Sequence, residues 1–225
     1  LVLEGPESIN LNNASQQILS WIYSNLKEHD KSLANKLHSF KENVVDGYSI
    51  KPLNFSRLYR TKKGYGLKIS TLDINVAKAI NNLILNPLPL VINGSELRVV
   101  DYGVNVFMDS IIYFTLSPIL VRYKDKYCFP SDKKFMWAIN HNLKLKYKAI
   151  TGQEIEEDLQ IFKMKEEYKT IKIKFKNHDF YGVVGEFIMK GDYRLCRTAY
   201  YLGVGSHTAS GFGCIETVKP KSACS

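Results

Sequence analysis

The stretch that decides the fold is Gly203-Val204-Gly205-Ser206-His207-Thr208-Ala209-Ser210-Gly211-Phe212-Gly213, near the C-terminus. Two Gly-apolar-Gly triplets in it bracket five small or polar residues. Glycine serves where the backbone needs a positive φ or must approach another group closely. Four glycines in eleven positions therefore predict a loop whose amide groups face an anion, with a plain connecting loop as the alternative.

The residues on either side predict a helix before this loop and a strand after it. Leu195, Ala199 and Leu202 suit one face of a short helix, and residues 214–218 are typical of a strand. The P-loop and the dinucleotide-binding loop both run from strand to helix, and the P-loop also needs a Gly-Lys-Ser/Thr sequence that this stretch lacks. The order helix, loop, strand thus argues against both common nucleotide loops.

The composition indicates a globular protein with a basic surface. The chain has 225 residues and a formal net charge of +9, from 31 Lys and Arg against 22 Asp and Glu. This excess suits a polyanion such as nucleic acid, although an ordinary lysine-rich protein has the same charge. No run of 18 apolar residues and no signal peptide is recognisable, which predicts a cytoplasmic protein without a membrane partner. The four cysteines are scattered without a Cys-x-x-Cys pair, so we expect no metal site, no disulfide framework and no cofactor.

The first half of the chain predicts the element order strand, helix, strand, strand, helix, strand, with one added short helix. Apolar residues with helical spacing mark the first helix from Ile18 to Leu26. Helix caps are predicted at Asn12 or Asn13, at Asp30 and at Asp73. The predicted strands cover residues 1–3, 53–59, 65–69 and 97–100. This is the ferredoxin-like order.

The second half repeats that order with one added strand. Met136, Ile139, Leu143 and Tyr147 share one face of a predicted helix, although residues 143–148 also alternate like a strand. Asp192 is expected to open the last helix. The predicted strands cover residues 111–114, 119–123, 159–164, 170–175, 181–189 and 214–218. The sequence thus predicts an α+β protein of two tandem ferredoxin-like (βαββαβ) domains, residues 1–107 and 108–225, side by side around a cleft at the glycine-rich loop.

Five further segments match, in order, landmarks of a family of RNA-binding proteins. They are Trp21-Ile22-Tyr23, Leu37-His38, Lys51-Pro52-Leu53-Asn54-Phe55-Ser56, Leu83-Ile84-Leu85-Asn86-Pro87 and Thr115-Leu116-Ser117-Pro118-Ile119. With the loop at residues 203–213, they resemble the repeat-associated mysterious protein (RAMP) superfamily. Within it, the chain is most similar to the CRISPR-associated repeat-processing endoribonucleases, the Cas-six family.

This resemblance implies a metal-independent endoribonuclease that binds CRISPR repeat RNA and cleaves precursor CRISPR RNA. The 2′-OH would attack the adjacent phosphate and leave a 2′,3′-cyclic phosphate and a 5′-OH end. The alternative is a non-catalytic RAMP subunit that binds guide RNA within a CRISPR effector complex. Subunits of such a complex and a second copy of the chain are the further partners that the resemblance allows.

The resemblance also implies three catalytic residues, Tyr23, His38 and Lys51. Histidine side chains titrate near neutral pH, so His38 suits proton transfer. Lys51 suits neutralisation of transition-state charge, and the Tyr23 hydroxyl suits positioning or donation rather than action as a free base. Lys31, Lys41 and Tyr48 are rivals for the two supporting roles.

Several basic residues and the glycine-rich loop are the predicted RNA contacts. Lys172 and Lys174 alternate with apolar residues, which predicts one basic face of a strand or, equally, an ordinary solvated sheet face. Arg194 and Arg197 lie three residues apart on the helix before the loop, where they suit phosphate binding. The contacts expected in the loop are Gly203, Gly205, Ser206, His207, Gly211 and Gly213.

Overall fold

The structure, a computed structural model, describes residues 1–11, 13–39, 44–108, 110–176 and 178–218, which contain both helices and strands. Asn12, Lys41 and Cys224, which the sequence analysis considered, lie outside these ranges. The helices are α1 (Ala14–His29), α2 (Lys31–His38), α3 (Ile74–Leu85), α4 (Phe135–Thr151) and α5 (Tyr193–Leu202). None of these helices is long and apolar enough to cross a membrane.

The strands are short and fall into two series. The first series is β1 (Val2–Glu4), β2 (Val44–Val45), β3 (Tyr48–Ser49), β4 (Asn54–Phe55), β5 (Tyr59–Thr61), β6 (Gly64–Gly66), β7 (Ile69–Ser70), β8 (Leu90–Ile92) and β9 (Ser95–Asp101). The second series is β10 (Ile112–Thr115), β11 (Arg122–Tyr123), β12 (Lys126–Tyr127), β13 (Leu159–Met164), β14 (Lys169–Phe175), β15 (His178–Val184), β16 (Glu186–Gly191) and β17 (Ile215–Thr217).

Two antiparallel sheets have the same order in four of their strands, and the first sheet has β8 as a fifth strand at its edge. The first is β5-β6-β1-β9-β8 and the second is β13-β16-β10-β17. In each, the first strand of a βαββαβ unit lies between the third and the fourth strands of that unit. The predicted α+β class with two tandem ferredoxin-like units is therefore confirmed. The hairpins β2–β3 and β14–β15 are additions to this plan.

Each unit has its own hydrophobic core. One core joins buried residues between Leu3 and Leu97, and includes Ile18, Ile22 and Leu26 of α1. The other joins buried residues between Phe107 and Ile215. This separation supports a division into two units, but Phe107 packs into the second core and not the first; the boundary between residues 1–107 and 108–225 stays a prediction.

A partly buried ion pair links the two units. The Lys68 ammonium donates to the Ile215 carbonyl at 2.8 Å and to the Glu216 carboxylate at 3.0 Å. It also lies 3.6 Å from the centre of the Tyr200 ring, and the Tyr200 hydroxyl donates to Glu216 at 2.8 Å. Because the carboxylate and the ammonium are both partnered, the desolvation of these charges is compensated within the protein. Lys68 therefore couples the last strand to the first unit.

Most predicted helix boundaries agree with the structure. The side chains of Asp30, Asp73 and Asp192 accept backbone N–H groups at the starts of α2, α3 and α5, as predicted. Asn13 occupies the N-cap position of α1, as one of the two predicted alternatives had it, but its φ is 58° and its side chain makes no capping bond.

Two predictions in the second unit have different outcomes. The choice of helix over strand for residues 143–148 is confirmed, since they lie within α4. The single strand predicted over residues 181–189 is wrong. The backbone has a φ of 150° at Gly185, and this break separates β15 from β16.

Candidate functional site

A cleft of about 710 Å³ lies between the two units. The first unit contributes residues 48–51, which run from β3 to Lys51. The second unit contributes residues 122–125, one face of α4 and residues 205–210 of the glycine-rich loop. The expected cleft at the glycine-rich loop is therefore present.

Tyr23, His38 and Lys51 come together in the first unit, and Lys51 is the one of the three that lines this cleft. Tyr23 lies on α1, His38 is the last residue of α2, and Lys51 follows β3. The Lys51 ammonium donates to the Tyr23 hydroxyl at 3.4 Å. The Tyr23 and His38 rings meet edge to face, with centroids 5.6 Å apart. Three residues from separate elements thus form one contiguous group of a hydroxyl, an imidazole and an ammonium.

The three side chains differ in environment. Tyr23 donates its hydroxyl hydrogen to the Leu37 carbonyl at 3.1 Å, and burial raises its pKa to about 12. Tyr23 is therefore a neutral hydroxyl at neutral pH. Burial, and then repulsion from Lys176, lower the pKa of Lys51 from its ordinary value. His38 is exposed, so its imidazole is accessible to a bound polyanion.

The rivals for the supporting roles lie in different places. Tyr48 lines the cleft, with its ring centroid 6.0 Å from that of His141. Lys31 begins α2, at the opposite end of that helix from His38. Tyr48 is thus the one of these two that shares the cleft with Lys51.

The hairpin β14–β15 brings another cation towards the Tyr23–His38–Lys51 group. Lys176 follows β14 in the turn with a φ of 48° and is close enough to Lys51 to lower its pKa. Lys172 and Lys174 are exposed on β14, and Lys172 pairs with Asp179 at 2.8 Å. Lys176 continues the pattern in which Lys172 and Lys174 occupy every second position, and this pattern is the sequence signal by which Lys176 could have been found. Its proximity to Lys51 depends on the tertiary structure.

The amides of the glycine-rich loop are largely bonded within the protein. Val204 donates to the Gly213 carbonyl at 2.9 Å, Ser206 to Leu120 at 2.7 Å and Gly213 to Pro118 at 2.8 Å. The amides of Ser210 and Gly211 also donate to carbonyls of the loop itself. The expected anion cradle is therefore wrong for these five amides, because each already has an acceptor.

The glycines of this loop are needed for contacts with the protein. Gly205 has a φ of 79°, and an added Cβ would overlap the Leu120 carbonyl. At Gly211, with a φ of 85°, the Cβ would lie 2.7 Å from the Phe55 ring. A Cβ on Gly203 would overlap the Asn54 side chain. The loop thus docks closely against β4 of the first unit and against residue 120.

Lys146 holds the start of the glycine-rich loop by two hydrogen bonds to its carbonyls. It lies on α4, is 3% exposed, and donates to the carbonyls of Gly203 at 2.7 Å and Gly205 at 2.8 Å. Burial lowers the pKa of this lysine from 10.5 to about 7. The sequence analysis missed Lys146, since a lysine within an alternating stretch gives no sign that it is buried.

The polar residues of the loop that line the cleft are Ser206, His207, Thr208 and Ser210. His207 has a φ of 58°, and its ring centroid lies 5.3 Å from Phe180 and 6.4 Å from Phe212. Partial loss of hydration, and then the like charge of Arg122, lower the pKa of its imidazole.

Arg194 and Arg197 lie in the first half of α5 and do not line the cleft. Arg194 bonds to the carboxylates of Asp192 at 2.8 Å and Glu157 at 2.9 Å. Arg197 lies over the Tyr201 ring at 5.9 Å. Arg194 thus has two anionic partners within the protein. In the described ranges no three His, Cys, Asp or Glu side chains cluster as metal ligands do.

Comparisons with known proteins agree with this architecture. The family model for the CRISPR associated protein Cas6, C-terminal, matches residues 104–217. The CRISPR-associated endoribonuclease Cas6 1 of Methanocaldococcus jannaschii is 25% identical over 231 residues, which cover 93% of this chain and 87% of that protein. The product of a Cas6-related gene from Pyrococcus furiosus has a TM-score of 0.76 at 19% identity, with 97% of each chain covered. A RAMP protein described as binding different RNA substrates has a TM-score of 0.76 at 20% identity, with 96% of this chain and 97% of that one covered. The chain belongs to the Cas6 family of CRISPR-associated proteins.

Proposed function

We propose that this protein is a CRISPR repeat-processing endoribonuclease that cuts precursor CRISPR RNA without a metal ion. The observation that carries the proposal is the convergence of Tyr23, His38 and Lys51 at the edge of a basic cleft between the units. A relative that covers most of the chain is named as a Cas6 endoribonuclease, and a protein of the same fold is described as binding RNA. Both support RNA as the substrate.

The reaction uses a nucleophile that RNA itself supplies. The 2′-oxygen forms a bond to the adjacent phosphorus, and the bond from phosphorus to the 5′-oxygen breaks. His38 accepts the 2′-OH proton, and the leaving 5′-oxygen takes up a proton from solvent. The products are a 2′,3′-cyclic phosphate and a 5′-OH end.

Lys51 and Tyr23 support this step in different ways. The Lys51 ammonium neutralises charge that develops on the phosphate in the transition state. The neutral Tyr23 hydroxyl accepts from Lys51 and donates to Leu37, so it holds the ammonium in place. The cost of burying part of Lys51 is then compensated when the phosphate binds.

The second candidate is a RAMP subunit that binds guide RNA without cleaving it. The basic cleft suits both functions. The group of imidazole, hydroxyl and ammonium favours the enzyme. Binding of phosphate requires only cations, whereas cleavage also requires a group that can transfer a proton, such as an imidazole.

Cleavage of the repeat RNA from the protein's own locus tests the proposal. The RNA is incubated with the protein in excess EDTA, and both product ends are mapped. We expect one cut within the repeat, a cyclic phosphate and a 5′-OH end, and no cut when the nucleotide before the scissile phosphate is 2′-deoxy. Binding without any cleavage would instead identify the non-catalytic subunit.

A further inference from the structure

An aromatic cluster in the cleft, with residues from both units, has no role in the proposed reaction. Trp137 and His141 lie four residues apart on one face of α4. Their rings stack with centroids 4.9 Å apart and an angle of 10° between the planes. Tyr48 from β3 extends the cluster, with its ring centroid 6.0 Å from that of His141. All three residues line the cleft that also contains Lys51.

The exposure of this cluster is unusual for side chains of such size. Trp137 is 50% exposed and Tyr48 is 55% exposed, whereas the other tryptophan, Trp21, is 6% exposed. Burial of aromatic surface is strongly favourable, so core packing does not account for two open rings in one cleft. The cluster therefore presents apolar ring surface to whatever occupies the cleft.

Two cations lie against a third ring that contacts Trp137. The Tyr123 ring meets the Trp137 ring edge to face, with centroids 5.2 Å apart. The ammonium groups of Lys124 and Lys134 each lie 5.6 Å from the centre of the Tyr123 ring. A flat aromatic surface flanked by ammonium groups suits a nucleotide, since the base stacks on the rings and the phosphates face the cations.

We propose that Trp137, with His141 and Tyr48, forms a stacking platform for one unpaired base of the bound RNA. Tyr48 of the platform lies three residues before Lys51, and Tyr48, Trp137 and Lys51 all line one cleft, so the platform would hold the strand beside the proposed point of cleavage. This inference rests on the proposed function. It assigns Trp137 a contribution to RNA affinity and no part in bond breaking.

Two substitutions with a matched control test the platform. Trp137→Leu removes the stacking surface, Trp137→Phe keeps an aromatic ring, and Tyr193→Leu removes a similarly exposed aromatic outside the cleft. The probe is the repeat RNA made 2′-deoxy at its mapped cleavage site. We expect Trp137→Leu to raise Kd by about 5- to 150-fold, because a stacked base contributes ~1–3 kcal/mol. Trp137→Phe should recover most of the affinity, and Tyr193→Leu should leave Kd unchanged.

Fluorescence and abasic RNA supply readouts that a purely structural role would not change. Trp21 is buried and donates its indole N–H to the Leu88 carbonyl at 2.6 Å, so Trp137 is the tryptophan that reports on the cleft. RNA should quench the emission of the wild-type protein and not that of Trp137→Phe. One abasic position in the RNA should weaken wild-type binding and have no further effect on Trp137→Leu.

The outcomes separate this inference from the proposed function. If wild-type protein cleaves the repeat while Trp137→Leu binds it within twofold of wild type, the platform is rejected and the proposed endoribonuclease function is retained. The platform is also rejected if every abasic position weakens both proteins equally. If wild-type protein neither binds nor cuts the repeat, the proposed function is rejected, and the platform is rejected with it.

Discussion

At the scale of single residues, the candidate catalytic group combines one accessible side chain with two constrained ones. His38 is exposed, whereas Tyr23 and Lys51 are partly buried and hydrogen-bonded to each other. A proton acceptor has to reach the 2′-OH, and a charge stabiliser works best where its geometry is already set. The environments therefore agree with proton transfer by His38 and positioning by the other two.

His38→Ala should slow cleavage while leaving RNA affinity nearly unchanged. Loss of a general acid or base typically costs ~10²–10⁴-fold in rate, and the role proposed for His38 is to act on the 2′-OH proton and not to hold a phosphate. The measurement is single-turnover cleavage of repeat RNA together with Kd. His29→Ala is the matched control, because His29 is also an exposed histidine at the end of a helix. A His38→Ala rate within a few-fold of wild type would exclude this residue from the reaction.

Lys51→Ala should lower both rate and affinity, and Tyr23→Phe should have the smallest effect of the three substitutions. The ammonium attracts phosphate in the ground state and in the transition state alike. Because the pKa of Lys51 is lowered, its cation is present at low pH and is lost as the pH rises through that pKa. The ratio of Kd between Lys51→Ala and wild type should therefore shrink as the pH rises. A ratio that is constant from neutral pH to about pH 10 would contradict this assignment.

The sequence could identify these residue types but not all of their partners. Family landmarks placed Tyr23, His38 and Lys51, and their predicted proximity agrees with the structure. Lys176 lies close to Lys51, and Lys146 donates to the Gly203 carbonyl. Each of these contacts joins residues far apart in the chain. No local pattern encodes such contacts, so these two roles became visible only in the folded protein.

At the scale of elements, the glycine-rich loop is a docking segment as well as a part of the cleft wall. Its amides bond to protein carbonyls, and its glycines avoid overlap with β4 and with residue 120. The sequence predicted its position between a helix and a strand, because helix periodicity and glycine content are local properties. It did not predict which groups the glycines approach, since those groups come from other elements.

Gly205→Ala should destabilise the protein more than Gly152→Ala does. Both glycines have a positive φ, 79° and 71°, but an added Cβ meets the Leu120 carbonyl only at Gly205 and open space at Gly152. The overlap should cost about 1–3 kcal/mol beyond the backbone strain that both variants share. Urea unfolding measures the difference, and RNA affinity should fall for Gly205→Ala alone. Equal stability of the two variants would show that residue 205 can accommodate a side chain.

Lys146→Met should abolish one part of the pH dependence of stability. Because burial lowers the pKa of Lys146 from 10.5 to about 7, the unfolded state binds more protons than the folded state between these pH values. The free energy of unfolding of the wild type should therefore rise with pH across this range. Lys146→Met loses the bonds to Gly203 and Gly205 and should be less stable near neutral pH, with a flatter profile. Parallel pH profiles of the two proteins would contradict a buried, titrating Lys146.

At the scale of the whole molecule, the two units depend on each other to form the cleft. Lys68 of the first unit holds Glu216 and the Ile215 carbonyl of the second, and the glycine-rich loop packs against Phe55. The doubled βαββαβ order could be predicted because each element has its own periodicity and caps. The relative placement of Lys51 and the β14–β15 hairpin could not be predicted from the sequence, because it depends on packing between the units.

RNA binding should weaken steeply with salt, and the β14–β15 hairpin should account for more of that dependence than α5. The net charge of +9 implies several phosphate contacts, each of which contributes about −0.7 to the slope of log K against log salt for a single strand. Lys174 and Lys176 do not line the cleft, but both are exposed, and Lys176 is close enough to Lys51 to lower its pKa, so we expect both to contact phosphates of RNA held there. Arg194 is already held by Asp192 and Glu157. We therefore expect Lys174→Ala with Lys176→Ala to flatten the slope by roughly 1.4.

The matched control for this last prediction is the double variant Arg194→Ala with Arg197→Ala. It removes the same formal charge from α5, where neither arginine lines the cleft. Kd is measured from about 50 to 200 mM salt for wild type and both variants. A larger change of slope in the arginine variant would place the RNA along α5 and away from the hairpin. An unchanged wild-type Kd across that range would reject phosphate contacts as the main source of affinity.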